Sequence, residues 1–211
     1  MSQRSKFRTC DRFSVYYGAD AVAQLLKFDV VVLEPGHRTK EDIRALKDNE
    51  TLVLAYVSVM EVHDEHPLRA FVTESQFLRE AMEPHKYITQ REYHNRVVDM
   101  QSPTWRGHLL RHVGTLITRE GYDGIFMDTI GDVEMPNLPN PMQQVEGAHM
   151  LVQQIRKWFP DIILIQNNGL EVLCNYTAPY LDAIAWENPP INVPQSRQWV
   201  RAVAERLVYL R

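Results

Sequence analysis

Seven short apolar runs, each separated from the next by residues that are helical or irregular in pattern, restrict this chain to few folds. They read Arg12–Tyr17, Phe28–Leu33, Thr51–Ser58, Arg96–Asp99, Gly124–Asp128, Ile162–Gln166 and Ala183–Glu187. They are rich in Val and Ile, and several are apolar almost end to end, as expected of parallel strands covered on both faces. Between them, Thr39 and Asp42 form a capping pair ahead of Ile43, Leu46 and Lys47. Ser102-Pro103 supplies a cap and a first-turn proline for a helix carrying Leu109, Leu110, Val113, Leu116 and Ile117, which Gly121 ends. Two more helices are expected, from about Met142 to Phe159 and from about Ser196 to the C-terminus. Strict β-α alternation implies a parallel sheet, either open and doubly wound or closed into a barrel. A closed barrel needs eight strands and about 250 residues, so this chain counts about one strand short.

The 211 residues, 45% hydrophobic and 24% charged, suffice for one good core. One domain over 1–211 is therefore expected, with its C-terminal end incomplete as a barrel. The net charge of -4 argues against a nucleic-acid partner. No apolar run approaches the roughly 18 residues that suggest a membrane span, so no membrane partner is expected. Met1–Phe13 is basic and polar with no apolar stretch behind it, which is not the pattern of a signal peptide. The expectation from this is a cytoplasmic protein or one whose signal has been removed. Cys10 and Cys174 are the only cysteines and read as unpaired thiols, with a single bridge open if the protein is exported.

The chemistry is expected where the strands stop. Glu34, Asp99, Asp128, Asn167 and Glu187 each close or follow an apolar run, Glu61 lies at or just past the third, and Tyr16 and Tyr17 end the first. In parallel α/β folds these ends face one mouth, where active sites lie. Carboxylates crowded there repel and raise one another's pKa, which a purely structural protein has no reason to accept. An acid after a strand can instead cap the next helix or accept backbone N–H bonds. That reading suits Glu34, before Pro35-Gly36, better than it suits Asp128 or Glu187. A carboxylate pair can cleave a glycosidic bond, one group protonating the leaving oxygen while the other attacks the anomeric carbon or activates water. Trp186, Tyr16, Tyr17 and Tyr56 offer flat faces for sugar rings, whereas Trp105, in a helix's first turn, reads as core. His63-Asp64-Glu65-His66 reads as a solvated loop, and His108 and His112 as surface histidines. No metal or cofactor is expected.

These pieces together resemble the glycoside hydrolase family 114-like barrels, the endo-α-1,4-polygalactosaminidases and related polysaccharide hydrolases. The matching segments are Phe28–Pro35, Leu54–Glu61, Gly121–Asp128, Asn167–Glu171 and Ala185–Glu187, in family order across nearly the whole chain. The family commonly has Gly where Met60 stands. The resemblance implies a (β/α)8-type TIM barrel, here with seven β/α units visible and the eighth strand lacking, and an extracellular setting. It places the catalytic acids on Asp128 and Glu187, and Glu61 on the acid of the third-strand motif. The expected partner is an α-linked, galactosamine-type polysaccharide or oligosaccharide, bound by Tyr16, Tyr17, Glu34, Tyr56, Glu61, Asp99, Asn167 and Trp186. A retaining mechanism is expected, with Asp128 as nucleophile and Glu187 as acid/base. Two alternatives stand beside it: a non-catalytic or degenerate carbohydrate-binding barrel, and a metal-dependent hydrolase using Glu61, Asp128 and Asp132. A barrel one strand short should leave its first and seventh strands either separated by a gap or closed with distorted pairing, and open edges invite self-association.

Overall fold

The computed structural model of the chain describes residues 2–19, 22–62, 68–72, 96–136 and 138–210. Among these the principal elements are, in order, α1 (Gln3–Phe7), β1 (Phe13–Tyr16), α2 (Val22–Leu25), β2 (Val30–Leu33), α3 (Lys40–Asp48), β3 (Leu52–Ser58), β4 (Glu61–Val62), β5 (Arg96–Val97), α4 (Pro103–Thr115), β6 (Gly124–Asp128), α5 (Pro141–Trp158), β7 (Ile163–Asn167), α6 (Cys174–Thr177), β8 (Ala183–Ala185) and α7 (Arg197–Leu210). Six strands form one parallel sheet in the order β1-β2-β3-β6-β7-β8, with β1 and β8 at its edges. This is a curled half-barrel, part of a TIM barrel.

Period-two alternation sorts each strand into two faces. Val31, Leu33, Val53, Ala55, Val57, Ile125, Met127 and Leu164 turn outward into a core shared with the helices. There they meet Ile43 and Leu46 of α3, Trp105, Leu109 and Val113 of α4, and Val145, Leu151 and Ile155 of α5. Each Val, Leu, Ile or Met side chain among them taken fully out of water contributes about 1.5–3 kcal/mol before entropy is counted. The other parity set, Val30, Val32, Leu52, Leu54, Phe126, Ile163 and Ile165, forms a second cluster made of strand residues. That cluster fills the hollow of the curl.

The helix ends follow the local chemistry expected of them. Thr39 and Asp42 make a reciprocal capping box at the start of α3. Ser102 Oγ accepts the Trp105 N–H at 3.2 Å, and Pro103 is the first residue of α4. Gly121, at φ 89°, closes the π-helical turn Leu116–Glu120 that prolongs α4. Trp105 is fully buried and donates its indole N–H to the Val59 carbonyl at 3.0 Å, which is the core role expected of it.

The fourth apolar run departs from expectation. Arg96–Asp99 is not a strand of the parallel sheet. Arg96–Val97 pairs antiparallel with Glu61–Val62, and β3 pairs directly with β6. The end of the run is pulled aside by other partners. Val98 donates its N–H to the Met60 carbonyl at 2.8 Å. The Asp99 carboxylate accepts from the Gln101 N–H at 2.8 Å and the Gln144 amide at 2.9 Å. The expected site residue Asp99 is thus committed to fastening α5 and the turn before α4.

Between the sheet edges no β1–β8 pairing occurs among the described residues. A cavity of about 770 Å³ lies there, lined by Phe7, Phe13, Ala183, Ile184, Leu207 and Leu210 among others. Of the two forms expected for the seam, this is a gap. Cys10 and Cys174 are free. No helix among the described residues is long and apolar enough to cross a membrane.

Candidate active site

The inward parity set continues past the apolar layer to a polar one. Counting by twos from Val15, Val32, Leu54, Phe126, Ile165 and Ala185 reaches Tyr17, Glu34, Tyr56, Asp128, Asn167 and Glu187. These six sit where the strands run out, at the C-terminal mouth of the curl.

Direct bonds join four of their functional groups. Tyr56 donates its hydroxyl to Asp128 Oδ2 at 2.6 Å. The Asn167 side-chain amide nitrogen donates to Asp128 Oδ1 at 2.7 Å and to Glu187 Oε2 at 2.9 Å. Those two carboxylate oxygens therefore lie no farther apart than 2.7 and 2.9 Å laid end to end. Asn188 reaches Glu187 Oε1 at 3.3 Å, and Asn168 Oδ1 accepts the Glu187 backbone N–H at 3.1 Å. Asp128 is half-buried beneath the tyrosine, whereas Glu187 stands exposed at the rim.

The electrostatics join the remaining members. Burial, followed by the charges of Asp128, Glu187 and Glu34, pushes the Tyr17 hydroxyl up from its ordinary range. Tyr17 meets Tyr56 edge to face with ring centroids 5.4 Å apart. Burial also raises the Tyr56 hydroxyl, aided by the Asp128 charge and the bond to it, so Tyr56 stays a proton donor at every working pH. Glu34 is raised by burial, with His37 opposing.

A second acidic pair lies beside the first. Asp132, in the turn Ile130–Glu134 after β6, is pushed up to about 8 by burial, then by the charges of Glu61 and Asp128, then by a hydrogen bond with Glu61. Glu61 is held by backbone bonds. Ser58 Oγ donates to the Glu61 carbonyl at 2.7 Å, and Thr129 Oγ1 accepts the N–H groups of Val59, Met60 and Glu61 at 3.0, 2.9 and 3.2 Å. Thr129 follows Asp128 directly and takes a left-handed backbone, φ 57°, a costly state for a β-branched residue.

The expected site residues thus divide. Tyr17, Glu34, Tyr56, Glu61, Asp128, Asn167 and Glu187 converge. Tyr16 has the opposite parity, packs against the helix-side core and carries Arg38 over its ring at 5.2 Å. Trp186 also has the opposite parity and meets Trp199 of α7 edge-on at 5.6 Å. Asp99 is occupied as described above. Asp132 had been expected only as part of a metal set, and Thr129 and Asn168 carry no mark in the sequence beyond standing next to strand-end residues. Among the described residues no group of three or more His, Cys, Asp or Glu is arranged to hold a metal ion. His63–His66 lies outside the described residues. His108 and His112 are half-buried on α4, with His108 stacked on Phe71 at 4.6 Å.

A half-barrel of parallel strands with two carboxylates meeting at one amide in its mouth belongs to the class of glycoside-hydrolase barrels. The family model of glycoside-hydrolase family GH114 matches residues 2–189, and the chain belongs to that family. The glycoside hydrolase domain of PelA from Pseudomonas aeruginosa shares the fold, with a TM-score of 0.73 and 24% identity over 95% of this chain and 80% of that one. Ega3 from Aspergillus fumigatus, solved in complex with galactosamine, gives a TM-score of 0.69 and 11% identity over 94% of this chain and 71% of its own. No curated protein matches the sequence.

Proposed function

We propose that this glycosidase cleaves an α-1,4-linked galactosamine polymer by a retaining double displacement within one barrel domain. In the first step Asp128 attacks the anomeric carbon, the glycosidic C–O bond breaks, and Glu187 delivers its proton to the departing oxygen. In the second, Glu187 takes a proton from water, the water oxygen bonds to the anomeric carbon, and Asp128 leaves as a carboxylate. The observation that carries this reading is the Asn167 amide shared between the two acids. It keeps the two bonded oxygens no farther apart than 2.7 and 2.9 Å laid end to end, close to the approximately 5–5.5 Å that retention uses and below the roughly 6.5–9.5 Å of inverting enzymes. The role order rests on environment. Asp128 is held in place by two hydrogen bonds, as suits a nucleophile, while Glu187 is exposed to the water and leaving group it must serve.

Tyr17, Glu34, Tyr56, Glu61 and Asn167 line the sugar's path in this reading. A mouth holding Glu34, Glu61, Asp128 and Glu187 complements a polymer that carries ammonium groups, and the galactosamine bound by Ega3 has the same chemistry. We also propose self-association through the open β1 and β8 edges. The test of function is turnover of deacetylated galactosamine polymer by the parent chain, Asp128→Asn and Glu187→Gln. We expect cleavage by the parent and a loss of about 10²-fold or more in each variant, with unchanged circular dichroism. Binding without turnover in the parent would leave a degenerate, carbohydrate-binding barrel in place of an enzyme.

A further inference from the structure

A depression of about 280 Å³ adjoins Glu187, and the two-step reaction makes no use of it. Glu187 forms part of its wall, so it runs on from the carboxylate pair. The rest includes Trp186, Asn188, Glu134, Glu171 and Trp199 of α7. The volume is just below the range of drug-sized pockets and suits one small ring. No Lys, Arg or His lines it.

The two indoles give this depression its shape. Trp186 and Trp199 meet at an interplanar angle of 80°, so they form a corner in the wall of the depression. Trp199 is 38% exposed yet not loose, because its indole N–H donates to Glu171 Oε1 at 2.6 Å. Fixing an aromatic side chain in advance removes part of the entropy cost of binding. Glu134 is spent on the loop, accepting the N–H groups of Glu171, Val172 and Leu173. The loop that carries Glu171 is therefore fixed as well. Trp199 lies beyond the residues matched by the family model, which end at 189.

We infer that this depression is a sugar subsite for an unreacted unit of the polymer, with Trp199 as its specificity-determining residue and a free-amine hexosamine as its ligand. The inference rests on the amino-sugar reading of the Asp128–Glu187 site. The apolar face of a pyranose lies on the indole. The ring's ammonium is drawn to the π face and to the Glu171 and Glu187 carboxylates, an attraction that a neutral N-acetyl group lacks.

The test uses the full chain carrying Asp128→Asn, which halts turnover, titrated calorimetrically with α-1,4-linked galactosamine oligosaccharides and with their N-acetylated counterparts. We expect the free-amine oligosaccharides to bind, and Trp199→Ala to weaken them about tenfold. Trp199→Phe should recover most of the affinity. Glu171→Gln, which can still accept the indole N–H, should weaken the free-amine form alone. Melting curves check that each variant folds, and Glu171→Gln carries the test if Trp199→Ala does not. Unchanged affinity in the variants, or equal affinity for acetylated sugars, overturns the subsite. If the parent chain still cleaves the polymer in that case, the hydrolase reading survives. Binding that depends on Trp199 in a chain that never cleaves would overturn the hydrolase reading and leave the subsite standing. Neither binding nor cleavage sinks both.

Discussion

Acids stand at both ends of these strands, and their surroundings separate their roles. Asp29, Asp123 and Asp182 precede β2, β6 and β8 and tie neighbouring backbones together, accepting the N–H groups of Arg12, Val53 and Leu164 at 2.9 Å each. Arg12, Lys47, and Arg4 with Arg156, respectively, neutralise them. At the mouth, burial first and then the charges of Glu61 and Asp128 raise Asp132 to about 8. That shift has a consequence for stability. The folded state holds a proton on Asp132 that the unfolded chain releases near pH 4. The stabilisation linked to that proton is complete below about pH 4 and lost as pH rises through about 8. Asp132→Asn should remove this dependence, so its melting temperature should gain on the parent's between about pH 5 and pH 8.5. Parallel melting curves that keep a constant offset would refute the linkage. Much of the mouth was legible from strand ends alone, because an acid closing an apolar run is visible in sequence. Tyr16 and Trp186 were expected in the mouth beside Tyr17 and Glu187, and strand parity turns both to the opposite face. What could not be read was partnership, since Asp99 looks like Asp128 until Gln101 and Gln144 claim it.

At the level of elements, the two acidic pairs are coupled through one hydroxyl. Thr129 Oγ1 gathers three backbone N–H groups from the bend between β3 and β4, pinning Glu61's backbone to the end of β6 next to Asp128. Its left-handed backbone is tolerated because those bonds over-determine it. Thr129→Ser keeps the acceptor and should retain near-parental stability and kcat. Thr129→Val removes it, strands buried donors at about 1–3 kcal/mol, and should lower kcat as Glu61 and Asp128 lose register. Denaturant titration and steady-state kinetics check both, and a Val variant matching the Ser variant would contradict the role. Close packing supports the neighbouring loops: a Cβ on Gly131 would come within 2.7 Å of the Gly169 backbone nitrogen. Helix boundaries were readable within a residue or so, since caps and prolines are local signals. The strand at Arg96–Val97 was misassigned because an apolar run does not state its partner, and only the tertiary bonds of Val98 and Asp99 turn it from the sheet.

On the scale of the whole molecule, six strands curl far enough to build the mouth and, among the described residues, leave two edges unpaired, with a gap of about 770 Å³ between them. Phe13 on the β1 edge is 45% exposed, where an aromatic invites pairing with another sheet edge. Light scattering should show association that grows with protein concentration, and Phe13→Lys should return the chain to a monomer. A parent chain that stays monomeric throughout would remove self-association from the account. Strand count, alternation and motif order made the half-barrel legible, whereas the seam is a property of closure that no local pattern encodes. The proposed catalytic pair lies at the opposite end of the strands from the Asp29–Asp123–Asp182 ties, so chemistry and scaffold can be tested apart. The most direct test of the central claim is the anomeric configuration of the first product, followed by proton NMR as the chain hydrolyses α-1,4-linked galactosamine oligosaccharides. Paired-carboxylate retention predicts the α-anomer first, later relaxing to the equilibrium mixture, and no product from Asp128→Asn. A β-anomer appearing first, or an Asp128→Asn variant that turns over like the parent, would contradict it.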